Sequence, residues 1–489
     1  MQRPKIVALI GAIGGVFVGL ALVAVGIHAI QHESVISDSA FEERENPRDW
    51  LEAMSTPQEY RMEAGIDKSL TTAEIDSIIL HYMNSYRIPG VAACVVKDGR
   101  LIWTGSYGYA IIEHDIPVAD TTLFMMASIS KTFTGAALLQ LWEAGLFNLD
   151  DDINDYLPFT VFNPNYPDSV ITFRLLLTHT SSIKDNWDVM YAVYVYGDSP
   201  IPLGEYVEEY LTPGGEYYDS TANFYTWAPG TRWSYCNEAF ALVAYLVEVL
   251  SSIPFDQYCN DSLFTPLGMY ETSWFLADLD TNNVAMPYQY SGGTFVPQGY
   301  YGYADYPAGQ LRTSSIQLAR HLIAFMQMGE IDGVRILDSA TVEEMTTIQY
   351  PEIYSSQGLV WFHNYTGGRW VWRHGGGDAG VATLASCCFD ENSAVVVLTN
   401  GESHSATGLI TNILFDYAAD YALVVGDASG DGVVDPADVV YLINYLFKGS
   451  AAPVPYEAGD CNCDEIVNAD DVVYLISYLF RGGPPPCEP

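Results

Sequence analysis

The sequence predicts a mixed α/β (α+β) protein. One sheet is assembled from both ends of a long domain, a mostly helical insert lies between, and a small helical module follows. Three observations carry this. Residues 91–96, the turn pair Asp98-Gly99 and residues 100–104 read as strand, tight hairpin turn and strand. Residues 370–372, 381–389 and 394–399 form a second strand-rich stretch far along the chain. Residues 427–449 recur at 460–482 with an offset of 33, visible in Asp438-Val-Val-Tyr-Leu-Ile-Asn-Tyr-Leu-Phe447 and Asp471-Val-Val-Tyr-Leu-Ile-Ser-Tyr-Leu-Phe480.

The elements follow in order. Arg3 and Lys5 flank an uncharged apolar run over residues 6–27. As a helix this run is about 33 Å long, enough to cross a bilayer. Residues 1–30 are therefore expected to be a signal peptide or an N-terminal membrane anchor, with Ala24-Val25-Gly26 offering small residues for cleavage. The basic flank places everything after residue 30 outside the cytoplasm, so a periplasmic, cell-surface or secreted protein is expected. Residues 31–69 read as an acidic spacer and 70–425 as the main domain. A helix is expected over 72–86, ending before Pro89-Gly90. Further helices are expected over 239–250, 315–328 and about 406–423. Residues 426–489 hold the repeat.

At 489 residues the chain exceeds what one hydrophobic core organises, and 49% hydrophobic residues permit a large one. Lys plus Arg number 20 against 61 Asp plus Glu, a formal net charge of −41. Phosphate would be repelled, so nucleic acid is excluded as a partner. Outside the cytoplasm disulfides are permitted, and Cys463 with Cys487 could staple the C-terminal module. The adjacent Cys387 and Cys388 would point to opposite faces of a strand.

The chemistry concentrates in three places. Ser128-Ile129-Ser130-Lys131 is an S-x-x-K at the start of a helix, where three-residue spacing puts Lys131 within reach of the Ser128 hydroxyl. The helix N-terminus can stabilise an oxyanion and depress the lysine pKa. Tyr235-Cys236-Asn237 supplies a phenol able to serve as acid or base, and an amide that can orient a lysine and a substrate carbonyl. His374-Gly375-Gly376-Gly377, expected at a strand edge, lets backbone N–H groups approach a reacting carbonyl. Each motif alone is also found in ordinary caps, loops and turns.

In this order and spacing the three motifs resemble the serine beta-lactamase and penicillin-binding superfamily, specifically its class C-like branch. Supporting stretches are Ile171-Thr-Phe-Arg-Leu-Leu-Leu-Thr-His-Thr180, Pro266-Leu-Gly-Met269 with Thr272, and Ala308-Gly-Gln-Leu-Arg-Thr313. The resemblance covers roughly residues 70–425. It implies a central antiparallel sheet flanked by helices plus an all-helical subdomain, with the site in the cleft between. It further implies a catalytic set of Ser128, Lys131, Tyr235, Asn237, His374, Gly376 and Gly377. Ser128 would be acylated, Lys131 and Tyr235 would move protons, Asn237 would contact the substrate, and the N–H groups of Ser128 and Gly377 would form the oxyanion hole. No catalytic cofactor is implied. Where beta-lactamases carry K-T-G this chain has His374-Gly375-Gly376, which resembles the family's esterases and aminopeptidases. Small esters, amides or D-amino-acid peptides are thus the expected substrates; true beta-lactamase activity and a non-catalytic scaffold are the alternatives.

Each C-terminal repeat opens with a candidate calcium loop. Asp427, Ser429, Asp431, Asp435 and Asp438 occupy loop positions 1, 3, 5, 9 and 12, with Gly432 at the turn and the Val433 carbonyl between. The second set is Asp460, Asn462, Asp464, Asn468 and Asp471, with the Ile466 carbonyl and Glu465 in place of the turn glycine. The pair resembles a dockerin type I module, which implies structural calcium and a cohesin-type protein partner. Pro436-Ala437 and Ala469-Asp470 occupy the neighbourhood where such modules choose partners, and they do not match each other.

Overall fold

In the computed structural model, which describes residues 70–487, the two ends of the main domain are zipped together in one sheet. Its seven strands are β1 (Gly90–Lys97), β2 (Arg100–Ile111), β3 (Ile116–Pro117), β4 (Phe362–Thr366), β5 (Arg369–Asp378), β6 (Val381–Cys388) and β7 (Ser393–Thr399). Their order is β4-β5-β6-β7-β1-β2-β3, every pair antiparallel. The seam is the β1–β7 ladder, from Val91 opposite Thr399 to Lys97 opposite Ser393. The expected turn closes β1 onto β2: Asp98 and Gly99 have φ of 51° and 76°, the paired left-handed conformation of a type I′ hairpin.

The longer helices are α1 (Thr72–Tyr86), α2 (Ser130–Glu143), α3 (Glu238–Ser251), α4 (Ser315–Met326), α5 (His404–Asp420), α6 (Pro436–Lys448) and α7 (Ala469–Arg481). Thr71 and Glu74 start α1 with a reciprocal capping box, and its Ile75, Ile78, Ile79, Tyr82 and Met83 form the buried stripe. Strand alternation then divides two cores. Val91, Ala93, Val95, Val395 and Val397 face α1 and α5, whereas Ala92, Cys94, Val96, Val396 and Leu398 face α4 and join the larger core that α2 and α3 also line. Cys387 and Cys388 do fall in different cores.

Two elements differ from the sequence reading. β2 runs on to Ile111 through Gly105 and Gly108, with a register shift at Val95/Val96, because cross-strand pairing overrides the low strand preference of glycine. The strand expected over residues 370–372 extends from Arg369 to Asp378 as β5, so the glycine run 375–377 is part of it, paired with Ala382, Thr383 and Leu384.

In the C-terminal module α6 and α7 pack through Val439, Leu442, Val472 and Leu475, and Cys463 is bridged to Cys487. The module touches the main domain: Thr72 Oγ1 donates to the Gly430 carbonyl at 2.8 Å, and Arg100 pairs with Glu457 at 3.1 Å. The N-terminal anchor or signal and the spacer fall outside the described residues. Among those described, no single helix is long and apolar enough to cross a membrane.

Candidate active site

Ser128 sits in a 3-10 turn, Ala127–Ile129, that leads directly into α2. It is the one residue between Thr122 and Leu139 that is not buried. Ala127 before it has a φ of 46°, a left-handed conformation that a non-glycine residue adopts only under constraint. The constraint comes from β5 and β6: Thr383 Oγ1 donates to the Met126 carbonyl at 2.7 Å. A Cβ at Gly376 would stand 2.2 Å from that same carbonyl oxygen, so only glycine lets the sheet approach the serine segment this closely.

Lys131 is fully buried, with Nζ 3.2 Å from Ser128 Oγ, 2.7 Å from Asn237 Oδ1 and 2.6 Å from the Ala308 carbonyl. Three side chains expected from the sequence thus meet at one atom. Burial pushes the Lys131 pKa down to about 7, with Asp185 and Asp305 the chief opposing charges. Tyr235 is half-buried beside them with its hydroxyl turned inward, its ring centroid 4.9 Å from Lys131 Nζ. Burial raises its pKa and the neighbouring Ser128 hydroxyl lowers it, although no hydrogen bond of good geometry satisfies the phenol. At neutral pH the phenol therefore keeps its proton.

His374 is completely buried on the same face of β5 as Gly376. Nδ1 lies 2.7 Å from the Gly375 carbonyl, an acceptor, which places the ring proton on Nδ1. Burial, with Lys131 adding repulsion, pushes its pKa down to about 3, so the ring is neutral. Arg373 points to the opposite face, where Nε donates to Asn364 Oδ1 at 3.0 Å. β4 pairs with β5 only as far as Phe362 opposite Arg373. Among the described residues no strand pairs with the outer edge of Gly375–Gly377.

Several groups at the site were not singled out by sequence. His179, with φ of 56°, packs its ring 4.3 Å from Tyr235 and accepts from the Cys236 N–H at 3.2 Å. Burial holds it neutral. Asp185 bonds Asn237, and the buried acids Glu238 and Asp305 lie behind; burial lifts the Asp305 pKa to about 7. His179 lies within a quoted stretch and Asp185 shortly after it, but single acids and rings in loops carry no periodic signal.

In the C-terminal loops the first and last carboxylates close each ring. Asp427 accepts from the N–H groups of Gly430, Asp431 and Gly432, and Asp438 from those of Ser429 and Asp435. Asp460 and Asp471 repeat the pattern with Asp464, Glu465, Asn462 and Asn468. Glu465 adopts the left-handed φ of 70° that Gly432 adopts at 88°. Among the described residues no three His, Cys, Asp or Glu side chains gather into a ready metal cage. The donor set is instead the mixed one that calcium accepts, namely carboxylates with Ser429, Asn462, Asn468 and backbone carbonyls. The Asp427 pKa is raised by burial and by its neighbours Asp438 and Asp431, the crowding of charge that a cation would relieve.

Residues 75–417 match the Beta-lactamase family and residues 425–480 the Dockerin type I domain. Protein flp of Staphylococcus aureus strain N315 is 27% identical over 293 residues, covering 60% of this chain and 56% of that protein. The chain therefore spans little more than half the length of such relatives. Among solved structures, the octameric penicillin-binding protein homologue from Pyrococcus abyssi has a TM-score of 0.56 at 22% identity, over 70% of this chain and 76% of that one. The D-amino acid amidase from Ochrobactrum anthropi SV3 has a TM-score of 0.56 at 18% identity, over 70% and 98%. With the family matched over most of its length, this chain belongs to the beta-lactamase family and carries a C-terminal dockerin type I domain.

Proposed function

We propose that the chain is an exported serine hydrolase that cleaves ester or amide bonds through an acyl-enzyme on Ser128. The observation that carries this is the buried Lys131 amine 3.2 Å from Ser128 Oγ, with a pKa brought to about 7. A neutral amine there can take the serine proton as Oγ bonds to the substrate carbonyl carbon. The N–H groups of Ser128 and Gly377 receive the developing oxyanion. Tyr235, a neutral phenol, passes a proton to the departing alcohol or amine and regains one from Lys131. Asn237 holds Lys131 and contacts the substrate. Water then attacks the acyl carbon, returns Ser128 and releases the acid.

The neutral, buried His374 offers no fixed cation for a carboxylate, and the net charge of −32 on residues 1–425 repels anions at long range. Small neutral esters, amides, or D-amino-acid peptides read from the amino end are therefore the proposed substrates, ahead of beta-lactams. The fold shared with a D-amino acid amidase accords with this. The dockerin domain would bind structural calcium through the two loops and present a face to a cohesin-type partner outside the cytoplasm. That face would use Val433, Val440 and Phe447 with their repeats Ile466, Val473 and Phe480, all exposed.

The test is labelling by a fluorophosphonate probe, with Ser128→Ala as control. Labelling should vanish in the variant while the melting temperature holds; equal labelling sinks the assignment. For substrate class, a nitrophenyl ester should have a higher kcat/KM than a chromogenic cephalosporin, and a tenfold cephalosporin preference would refute it.

A further inference from the structure

Behind the Ser128–Lys131 pair lies a carboxylate that belongs to none of the three motifs. Asp185 Oδ1 accepts from the backbone N–H groups of Asn237 at 2.8 Å and Glu238 at 3.2 Å, and Oδ2 accepts from Asn237 Nδ2 at 2.9 Å. The Cys236 thiol is a further donor to it. The residue as a whole is only half-buried, but its carboxylate faces inward.

Burial raises the Asp185 pKa, but the donors from Glu238, Cys236 and Asn237 and the Lys131 charge favour the ionised form, and an ionised carboxylate only accepts hydrogen bonds. Whichever end of the Asn237 amide meets Asp185 must therefore be the NH2. The other end, Oδ1, is then forced toward Lys131 Nζ, which it meets at 2.7 Å. With the amide reversed, an oxygen would face the carboxylate, a repulsive contact, and an NH2 would face the lysine nitrogen, repelling its protonated form or occupying the lone pair that must take the Ser128 proton. We propose that Asp185 is a positioning residue that fixes the orientation of the Asn237 amide and through it holds Lys131 in line with Ser128. The inference rests on the serine hydrolase reading above.

Asp185 has a second effect with its own sign. The carboxylates bearing on Lys131 are Asp185, Asp305 and Asp378, each favouring the protonated lysine, while burial keeps the Cys236 thiol neutral. Glu238 is tied up by the Tyr206 hydroxyl at 2.7 Å, while His179 and His374 are neutral. Removing the negative charge of Asp185 lets Lys131 lose its proton at lower pH. Misorienting the amide slows the reaction at every pH. A residue that served only to hold the fold would produce neither pattern in a folded variant.

The experiment follows the rate of Ser128 phosphonylation by a fluorophosphonate from pH 5 to 9 in the full chain, with melting temperature recorded. Asp185→Asn should lower the plateau rate by at least about tenfold, the scale of a small misplacement of reacting groups, and move the midpoint to lower pH. The double variant Asp185→Asn with Asn237→Asp restores donor facing acceptor at both ends. It should label faster than the single variant, with its midpoint above the wild-type value because the carboxylate now touches the lysine. Asp185→Asn with the wild-type plateau and midpoint overturns the proposal, as does a folded double variant no faster than the single one. Should Asp185→Asn fail to fold, the double variant decides alone, by labelling with a raised midpoint or not labelling. A wild-type chain that does not label removes the hydrolase reading and this inference with it. A labelling wild type beside an indifferent Asp185→Asn removes the inference only.

Discussion

Lys131 decides the pH behaviour at the scale of single residues. In the proposed mechanism its amine must be neutral to accept the Ser128 proton, and burial sets its pKa near 7. The sign follows: kcat/KM should fall as pH drops through about 7, because the lysine then holds its proton. An acid limb nearer 4 would point to a carboxylate base instead. Lys131→Ala should reduce the rate by a factor of about 10² or more, the contribution of a general base. His374→Lys is predicted to act twice. A second cation beside Lys131 should push the acid limb to lower pH, and affinity for carboxylate-bearing substrates should rise, more at low salt than at high. If the ring's charge state is irrelevant, neither the limb nor the salt dependence will move.

At the scale of elements, the glycines of β5 and the turns of the calcium loops decide most. Gly376→Ala places a Cβ 2.2 Å from the Met126 carbonyl oxygen and 2.3 Å from Thr383 Oγ1. The backbone before Ser128 must then shift, and a loss of roughly 10²-fold in labelling rate is expected for a displacement near 1 Å. Wild-type labelling would show that the sheet and the 3-10 turn are less tightly coupled than their contacts indicate. Glu465, at φ 70°, carries a left-handed conformation that costs a non-glycine residue about 1–2 kcal/mol. Glycine loses about 0.5–1 kcal/mol of that gain through backbone entropy. Glu465→Gly should therefore stabilise the module modestly, by up to about 1.5 kcal/mol in denaturant unfolding. A destabilised variant would mean that the Glu465 side chain is needed in the loop.

At the scale of the whole molecule, the first loop of the dockerin domain rests against the beta-lactamase family domain through Thr72 and Gly430, and Arg100 meets Glu457. A cation that binds only the folded loops adds stability by mass action, about 2.7 kcal/mol at a hundredfold excess over Kd. Calcium should accordingly raise the melting temperature of the full chain's module transition, and chelator should reverse it. Thr72→Val should leave the calcium effect at the second loop intact while weakening it at the first. Identical melting curves with calcium and with chelator would contradict calcium binding by the loops and leave the hydrolase reading untouched.

The sequence alone determined the elements whose causes are local. Hairpin 91–104 follows from Asp98-Gly99 between apolar alternation, helix 72–86 from its apolar spacing, and the tandem loops from repetition at 33 residues. It also placed Ser128 beside Lys131, because three residues along a helix is a fixed distance. Tertiary structure decided what depends on residues far apart in the chain. That the glycine run 375–377 is strand follows from pairing with residues 382–384, and the short strand β4 exists only as its partner. The lowered pKa of Lys131 and the neutrality of Tyr235 and His374 are consequences of burial, which no window of sequence reports. Asp185 reads as an ordinary loop acid until folding brings it to Asn237, 52 residues away, where its inability to donate a hydrogen bond dictates which way an amide turns.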